Sequence, residues 1–314
     1  MTDIQQTPSV PADALPRSWV DSAPIAARPW LRLMRLDRPI GVELLFLPCI
    51  FGLALGAIAQ RRGFGSLGDL ELLGLFALGA VVMRGAGCTH NDIVDRDIDA
   101  KVARTRGRPI PSGAVSLRGA WIFTALQCAA GLAILLQLNS FSIALGAGSL
   151  LLVALYPFMK RITWWPQAWL GLTFNWGALL GFSAQTGHLA LPAIVLYAAC
   201  FFWTLGYDTI YAHQDSDDDA LIGVKSTARL FGQKSPGWID AFYALSLGFL
   251  VLALLIQTAH LWSALLLVPA GLHFLWQTRK LDVNDNACCL KIFRANRDTG
   301  LLIAAAIIAA SYVA

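Results

Sequence analysis

Charge is what this 314-residue chain has least of: Asp, Glu, Lys and Arg make up 14% of it, against 56% hydrophobic residues, with a mean hydropathy of +0.58. Soluble globular domains carry roughly 25% charged residues, so the shortage excludes one and marks a polytopic membrane protein. Cysteine is sparse and unpatterned. Cys49, Cys88, Cys128, Cys200, Cys288 and Cys289 form no CxxC and no Cys/His ligand spacing, which argues against a disulfide framework or a zinc site. Most lie in apolar segments, where cysteine acts as a small hydrophobe. The N-terminal stretch lacks the basic start and apolar run of a signal peptide. Residues 1–27, polar and broken by Pro8, Pro11, Pro16 and Pro24, read as a disordered cytoplasmic tail, and 28–314 as one transmembrane domain.

What the chain does have is apolar runs. A bilayer-crossing helix needs about 20 mostly apolar residues, and nine segments meet that need: roughly 40–60, 68–87, 118–138, 141–159, 165–184, 190–210, 238–258, 261–278 and 298–314. The expected fold class is therefore all-α, a bundle of nine transmembrane helices. Apart from Arg61 and Arg62, every Lys and Arg falls in the N-terminal tail, near the end of the second span, or in loops after even-numbered spans. By the positive-inside rule the tail and those loops are cytoplasmic.

Two acidic stretches share that face. NDIVDRDID (91–99) follows the second span, and DTIYAHQDSDDD (208–219) closes the sixth. Asp95 and Asp99 are four residues apart, as are Asp215 and Asp219, so on a helix each pair shares one face. Like charges at the water's edge of a low-dielectric bilayer need a cation. Carboxylate oxygens suit Mg²⁺, which takes one or two of them together with phosphate oxygens. Arg104, Arg106, Arg108, Lys160, Arg161 and Lys225 fit the phosphate half of such a site. Trp164, Trp165, Trp169, Phe174, Trp176, Tyr207 and Tyr211 could flank an allylic cation, although tryptophans at span ends more commonly anchor the interface. Arg28, Arg32 and Arg35 read as topology determinants, and Asp97, Asp217 and Asp218 as partners of arginine or water.

At these residues the sequence resembles the UbiA superfamily of intramembrane aromatic prenyltransferases, and most closely its hydroxybenzoate branch. The stretches that carry the resemblance are RLDRPIGVELLFLP (35–48), GCTHNDIVDRDIDAKVARTRGRPIPSGAVS (87–116), YPFMKRITWWPQ (156–167) and GYDTIYAHQDSDDDALIGVKSTARLFG (206–232). The resemblance implies a central cavity with cytoplasmic cap loops, and Mg²⁺ held by Asn91, Asp92, Asp95, Asp99, Asp215 and Asp219. Asp95, Asp99, Asp215 and Asp219 would be the catalytic core of that set. It implies diphosphate contacts from Arg104, Arg108, Lys160, Arg161 and Lys225, and acceptor or metal-water contacts from Asp208 and Tyr211. Arg38 becomes a partner for a benzoate carboxylate.

The implied reaction joins polyprenyl diphosphate to the 3-position of 4-hydroxybenzoate on the way to ubiquinone. The diphosphate ester ionises, the ring carbon ortho to the phenol attacks the allylic cation, and a proton leaves. Membrane lipid is an expected partner and nucleic acid is not. The expected setting is the bacterial inner (plasma) membrane. Two alternatives stand beside this reading: a sister enzyme with a naphthoate, homogentisate or porphyrin acceptor, and a cation transporter. Transporters usually hold their carboxylates at the bilayer midplane in broken helices, whereas these lie at one face beside arginines.

Overall fold

A computed structural model describes residues 18–101, 105–216, 220, 221 and 223–313. The chain is 80% helix, with no strand among the described residues. In chain order the helices are α1 (Arg28–Leu33), α2 (Ile40–Ala59), α3 (Leu67–Asp99), α4 (Leu117–Leu135), α5 (Ser140–Ile162), α6 (Pro166–Phe174), α7 (Trp176–Thr186), α8 (Leu191–Ala212), α9 (Thr227–Phe231), α10 (Ser235–Thr258), α11 (Val268–Lys280) and α12 (Asn286–Ser311).

Six helical segments are long and apolar enough to cross a membrane: α2, α3, α4, α5, α8 and the run 227–258 that ends in α10. The other three expected spans are helical but interrupted, short or charged. The segment expected at 165–184 breaks at Asn175, between α6 and α7. That over 261–278 opens as a 3-10 helix, Leu261–Leu267, before α11. The last expected span is the apolar half of α12, whose first half carries Lys291, Arg294, Arg297 and Asp298.

The chain divides into two compact units, residues 1–42 with 81–133 and residues 43–80 with 134–314. In the first unit, α1, the C-terminal part of α3 and the start of α4 enclose Leu33, Ile93, Ile110, Val115 and Ala120, with Trp30, Leu117 and Phe123 packed against them. Trp30 and Phe123 meet edge to face, ring centres 5.0 Å apart. This core seats the acidic end of α3, because Ile93 belongs both to the core and to the motif.

The second unit is held by close backbone crossings and by polar links. A Cβ on Gly52 would lie 2.1 Å from the carbonyl oxygen of Ala178, and one on Gly181 would lie 2.5 Å from that of Cys49. Only residues without side chains let α2 and α7 approach so closely, the usual device of helix packing in lipid. Asn296 accepts from Trp203 Nε1 at 2.8 Å and from the Tyr243 hydroxyl at 3.1 Å, and its amide donates to Gln277 at 2.9 Å. Those bonds tie α8, α10, α11 and α12 together. Arg62, one of the two exceptions to the charge pattern, has a structural partner. Its guanidinium donates to both oxygens of Asp69 at 2.6 and 2.8 Å, and the same buried carboxylate accepts the backbone N–H groups of Gly65 and Ser66.

Candidate active site

Helix α3 does not stop where its apolar run ends near residue 87; it continues to Asp99. The acidic motif is therefore helical, as its four-residue spacing predicts. Asp92, Asp95 and Asp99 are all buried, and Asn91 is half-buried. Burial corrects one expectation: Asp95 is enclosed by protein and does not lie at the water's edge. Asp97, off the row, is exposed and pairs with Arg96 at 3.3 Å, the arginine-partner role expected for it.

The loop after α3 folds back to bring Arg108 onto the acids. The Thr105 hydroxyl donates to the carbonyl of Asp99 at 2.9 Å, and Arg108 N–H donates to the carbonyl of Thr105 at 2.9 Å. Gly113, at φ +77°, turns the chain toward α4, and Val115 N–H closes the loop onto the Pro109 carbonyl at 2.9 Å. Arg108 Nη1 then donates to Asp99 Oδ2 at 2.7 Å and lies 3.3 Å from Asp92 Oδ1.

Arg35 completes the cluster. Its Nη2 donates to the same Asp92 Oδ1 at 2.6 Å, with the Asp92 side chain at 0% exposure and that of Arg35 at 10%. The contact is made from a backbone in the left-handed region, φ +59°, which costs a non-glycine residue roughly 1–2 kcal/mol. A charge-assisted hydrogen bond of this length contributes a comparable amount, about 1.5–3 kcal/mol. Arg35 is thus an integral part of the site, beyond the topological role its sequence position indicates. No local pattern reveals this, since its partner lies 57 residues away. Arg38 pairs with its neighbour Asp37, Nη2 to Oδ2 at 3.3 Å, and both are largely buried.

The residues present fit a metal–diphosphate complex in kind: carboxylate and amide oxygens along α3, with guanidinium groups among them. They do not fit equally well. Asp92 Oδ2 is buried without a hydrogen-bond partner among the described residues, an orphan worth about 1–3 kcal/mol. A dication on Asp92 would share the carboxylate with the guanidinium of Arg35 and be repelled by it. Asp99 spends one oxygen on Arg108 and keeps the other. Among the described residues no three His, Cys, Asp or Glu side chains are already arranged around one point as metal ligands.

In the second unit, α8 carries the other motif. Trp203, Tyr207 and Tyr211 follow one another at four-residue intervals and form an aromatic column. Trp203 meets Tyr207 at 5.4 Å between ring centres, and Tyr211 packs on Phe293 at 4.6 Å. Asp208 is half-buried beside them. The end of α8 is fixed by two buried side-chain bonds, Thr209 to Thr227 at 2.7 Å and His213 Nε2 to the Ser235 hydroxyl at 2.8 Å. Burial holds the His213 imidazole below its usual pKa. A 3-10 turn, His213–Asp215, follows. The side chain of Asp215, and Asp219 and Arg104 entirely, lie outside the described residues. A polar pocket of about 440 Å³ adjoins this turn, lined by His213, Gln214, Arg229, Gln233 and Asn284 among others.

The expected diphosphate residues of this unit come together. Lys160 and Arg161 occupy the last turn of α5. Lys225 N–H donates to the Lys160 carbonyl at 3.0 Å, and its Nζ donates to the Ile162 carbonyl at 3.1 Å. Lysine has three N–H donors, so two remain for a ligand. The tryptophans divide. Trp169 and Trp176 spend their indole N–H groups on α5 carbonyls at 2.8 and 3.0 Å, while the partly exposed Trp164 lies under the Arg229 guanidinium at 5.4 Å.

Residues 45–306 match the UbiA prenyltransferase family. A protein of Bos taurus, 4-hydroxybenzoate polyprenyltransferase, mitochondrial, is 51% identical over 290 residues, covering 90% of this chain and 76% of its own. The apo structure of a UbiA homologue from Aeropyrum pernix superposes with a TM-score of 0.69 at 28% identity, over 85% of this chain and 97% of that one. A homologue from Archaeoglobus fulgidus bound to GPP and Mg²⁺ shares the fold, with a TM-score of 0.65 at 20% identity over 88% and 99%. Other curated relatives with the Bos taurus protein's name are likewise mitochondrial. That finding overturns the expected bacterial inner membrane and points to a mitochondrial membrane; the multi-pass character stands. By the extent of the family match and the half-identity with its relatives, this chain belongs to the UbiA prenyltransferase family.

Proposed function

We propose that the chain transfers a polyprenyl group from polyprenyl diphosphate to the 3-position of 4-hydroxybenzoate, in the service of ubiquinone synthesis and in a mitochondrial membrane. The observation that carries the reading is the half-identity, over nine-tenths of the chain, with relatives of that activity. The arginine-laced acidic row of α3 supports it. The nine expected spans, around a central cavity with cap loops on the Lys/Arg-rich side, would accommodate the apolar prenyl chain among helices and keep the diphosphate in water.

Asn91, Asp95 and Asp99, together with Asp215 and Asp219, would hold Mg²⁺. When bound, the metal neutralises the negative charge that develops on the departing diphosphate. Arg108, anchored on Asp99, turns its remaining N–H groups to phosphate oxygens, where a planar guanidinium can bind in bidentate fashion. Arg104, Lys160, Arg161 and Lys225 share the rest of the charge. Ionisation leaves an allylic cation, for which the faces of Tyr207 and Tyr211 offer stabilisation. Arg38 pairs the benzoate carboxylate, and Asp208 and Tyr211 orient the ring so that the carbon ortho to the phenol attacks. Loss of the ring proton then restores aromaticity.

An acceptor panel tests the assignment. Purified protein with one polyprenyl diphosphate is expected to convert 4-hydroxybenzoate at least tenfold faster than 1,4-dihydroxy-2-naphthoate or homogentisate. Faster turnover of either competitor would reassign the acceptor.

A further inference from the structure

We propose that Asp92, although it lies within the acidic motif, is a positioning residue that fixes Arg35 and Arg108 for diphosphate capture and does not hold the metal. The inference rests on the prenyl-transfer reading and divides labour within that site. Four charged groups form a continuous buried chain in the first unit: Arg35 to Asp92 at 2.6 Å, Arg108 to the same oxygen of Asp92 at 3.3 Å, and Arg108 to Asp99 at 2.7 Å. Two guanidinium groups converge on one oxygen of Asp92, so its single charge is answered before any metal arrives. Asp92, Asp95 and Asp99 stand at i, i+3 and i+7 and share one face of α3, and Asp92 is set apart by the two guanidinium groups on its Oδ1.

The backbone points the same way. Arg35 caps the end of α1 in the left-handed region, where glycine is the ordinary choice. An arginine held there keeps its side chain on Asp92. Arg108 is less buried, with 18% of its side chain exposed, and its N–H groups not spent on Asp92 and Asp99 are available to an anion. In this arrangement Asp92 sets where Arg108 stands, and Asp99 is shared between Arg108 and the metal.

Three measurements on full-length protein in detergent separate the roles. They are the Michaelis constant for prenyl diphosphate at saturating Mg²⁺, the Mg²⁺ concentration giving half-maximal rate, and the rise in melting temperature caused by inorganic diphosphate in EDTA. Asp92→Asn is expected to raise the prenyl diphosphate KM about tenfold, the effect of one lost charge-assisted contact. It should abolish the diphosphate-induced thermal shift and leave the Mg²⁺ requirement within about twofold of wild type. Asp95→Asn should instead raise the Mg²⁺ requirement. If Asp92→Asn raises the Mg²⁺ requirement as Asp95→Asn does, or leaves the KM unchanged, the proposal is overturned. Should Asp92→Asn fail to fold, Arg35→Gln keeps the carboxylate and must reproduce the KM increase; an unchanged KM there also defeats it. Wild-type protein with no Mg²⁺-stimulated turnover would defeat the prenyl-transfer reading itself, a different outcome.

Discussion

Arg35 reaches across 57 positions of sequence to grip Asp92 at 2.6 Å, and both side chains are almost entirely removed from solvent. The pair anchors the turn after α1 to the acidic end of α3 and ties Arg108 into the same ionic chain. Breaking a buried pair strands a charge, which typically costs 3–5 kcal/mol. The cluster is therefore sensitive at every member, and each member carries a different function.

Arg108→Ala removes the contacts to Asp92 and Asp99 together with the N–H groups assigned to diphosphate. The expected result is a 10- to 100-fold rise in the KM for polyprenyl diphosphate, matching a loss of roughly 1.5–3 kcal/mol. Acceptor KM should change little. Initial-rate kinetics with each substrate varied in turn checks this.

Asp95→Ala removes a ligand assigned to the metal. Turnover should fall by about 100-fold or more, since the metal's charge stabilisation is worth several kcal/mol. The protein should still insert. Quantified membrane abundance beside the rate distinguishes the two, and near-normal turnover would remove Asp95 from the metal site.

Gly52 lies where a Cβ would meet the Ala178 carbonyl oxygen at 2.1 Å, while Gly74 has nothing within 4 Å of the same position. Gly52→Leu should destabilise by about 1–3 kcal/mol or more through overpacking, lowering the melting temperature by several degrees. Gly74→Ala should leave it unchanged or raise it slightly. Thermal unfolding of the two variants in the same detergent checks the α2–α7 crossing.

His213 is buried and its pKa is lowered from 6.5 by desolvation. Well above pH 6.5 the imidazole is neutral in folded and unfolded chains alike, so it adds no pH dependence there. As pH falls below 6.5 the unfolded chain takes up the proton first, and stability is lost until the folded pKa is passed. Wild-type protein should therefore lose more melting temperature between pH 7 and pH 5 than His213→Gln does; parallel curves would contradict the assignment.

Much of this was legible in the sequence because apolar length and charge placement are set by the membrane itself. The spans at 40–60 and 190–210, and the helical spacing of Asp95 and Asp99, appear in α2, α8 and α3 as expected. Interruptions were harder to read. Asn175 divides the span at 165–184, and its amide donates to the Gly171 carbonyl at 2.8 Å and the Thr204 hydroxyl at 2.7 Å. Local hydropathy cannot register a partner 29 residues away on another helix. The same holds for Arg35. Its charge read as topology because neither its left-handed backbone nor Asp92 lies within the reach of a local pattern. The membrane's identity lay outside the physics of the chain altogether: hydropathy marks a bilayer and not the compartment it encloses, and only the mitochondrial relatives corrected it.

Prenyl transfer to 4-hydroxybenzoate with a metal held by the acidic motifs is open to direct test. The most direct measurement is mass-spectrometric detection of product from 4-hydroxybenzoate and a polyprenyl diphosphate in proteoliposomes, first in EDTA and then after Mg²⁺ is restored. 3-Polyprenyl-4-hydroxybenzoate is expected only when Mg²⁺ is present, with loss in EDTA reversed on its return. Product formed equally in EDTA, or none from 4-hydroxybenzoate under any condition, would contradict it.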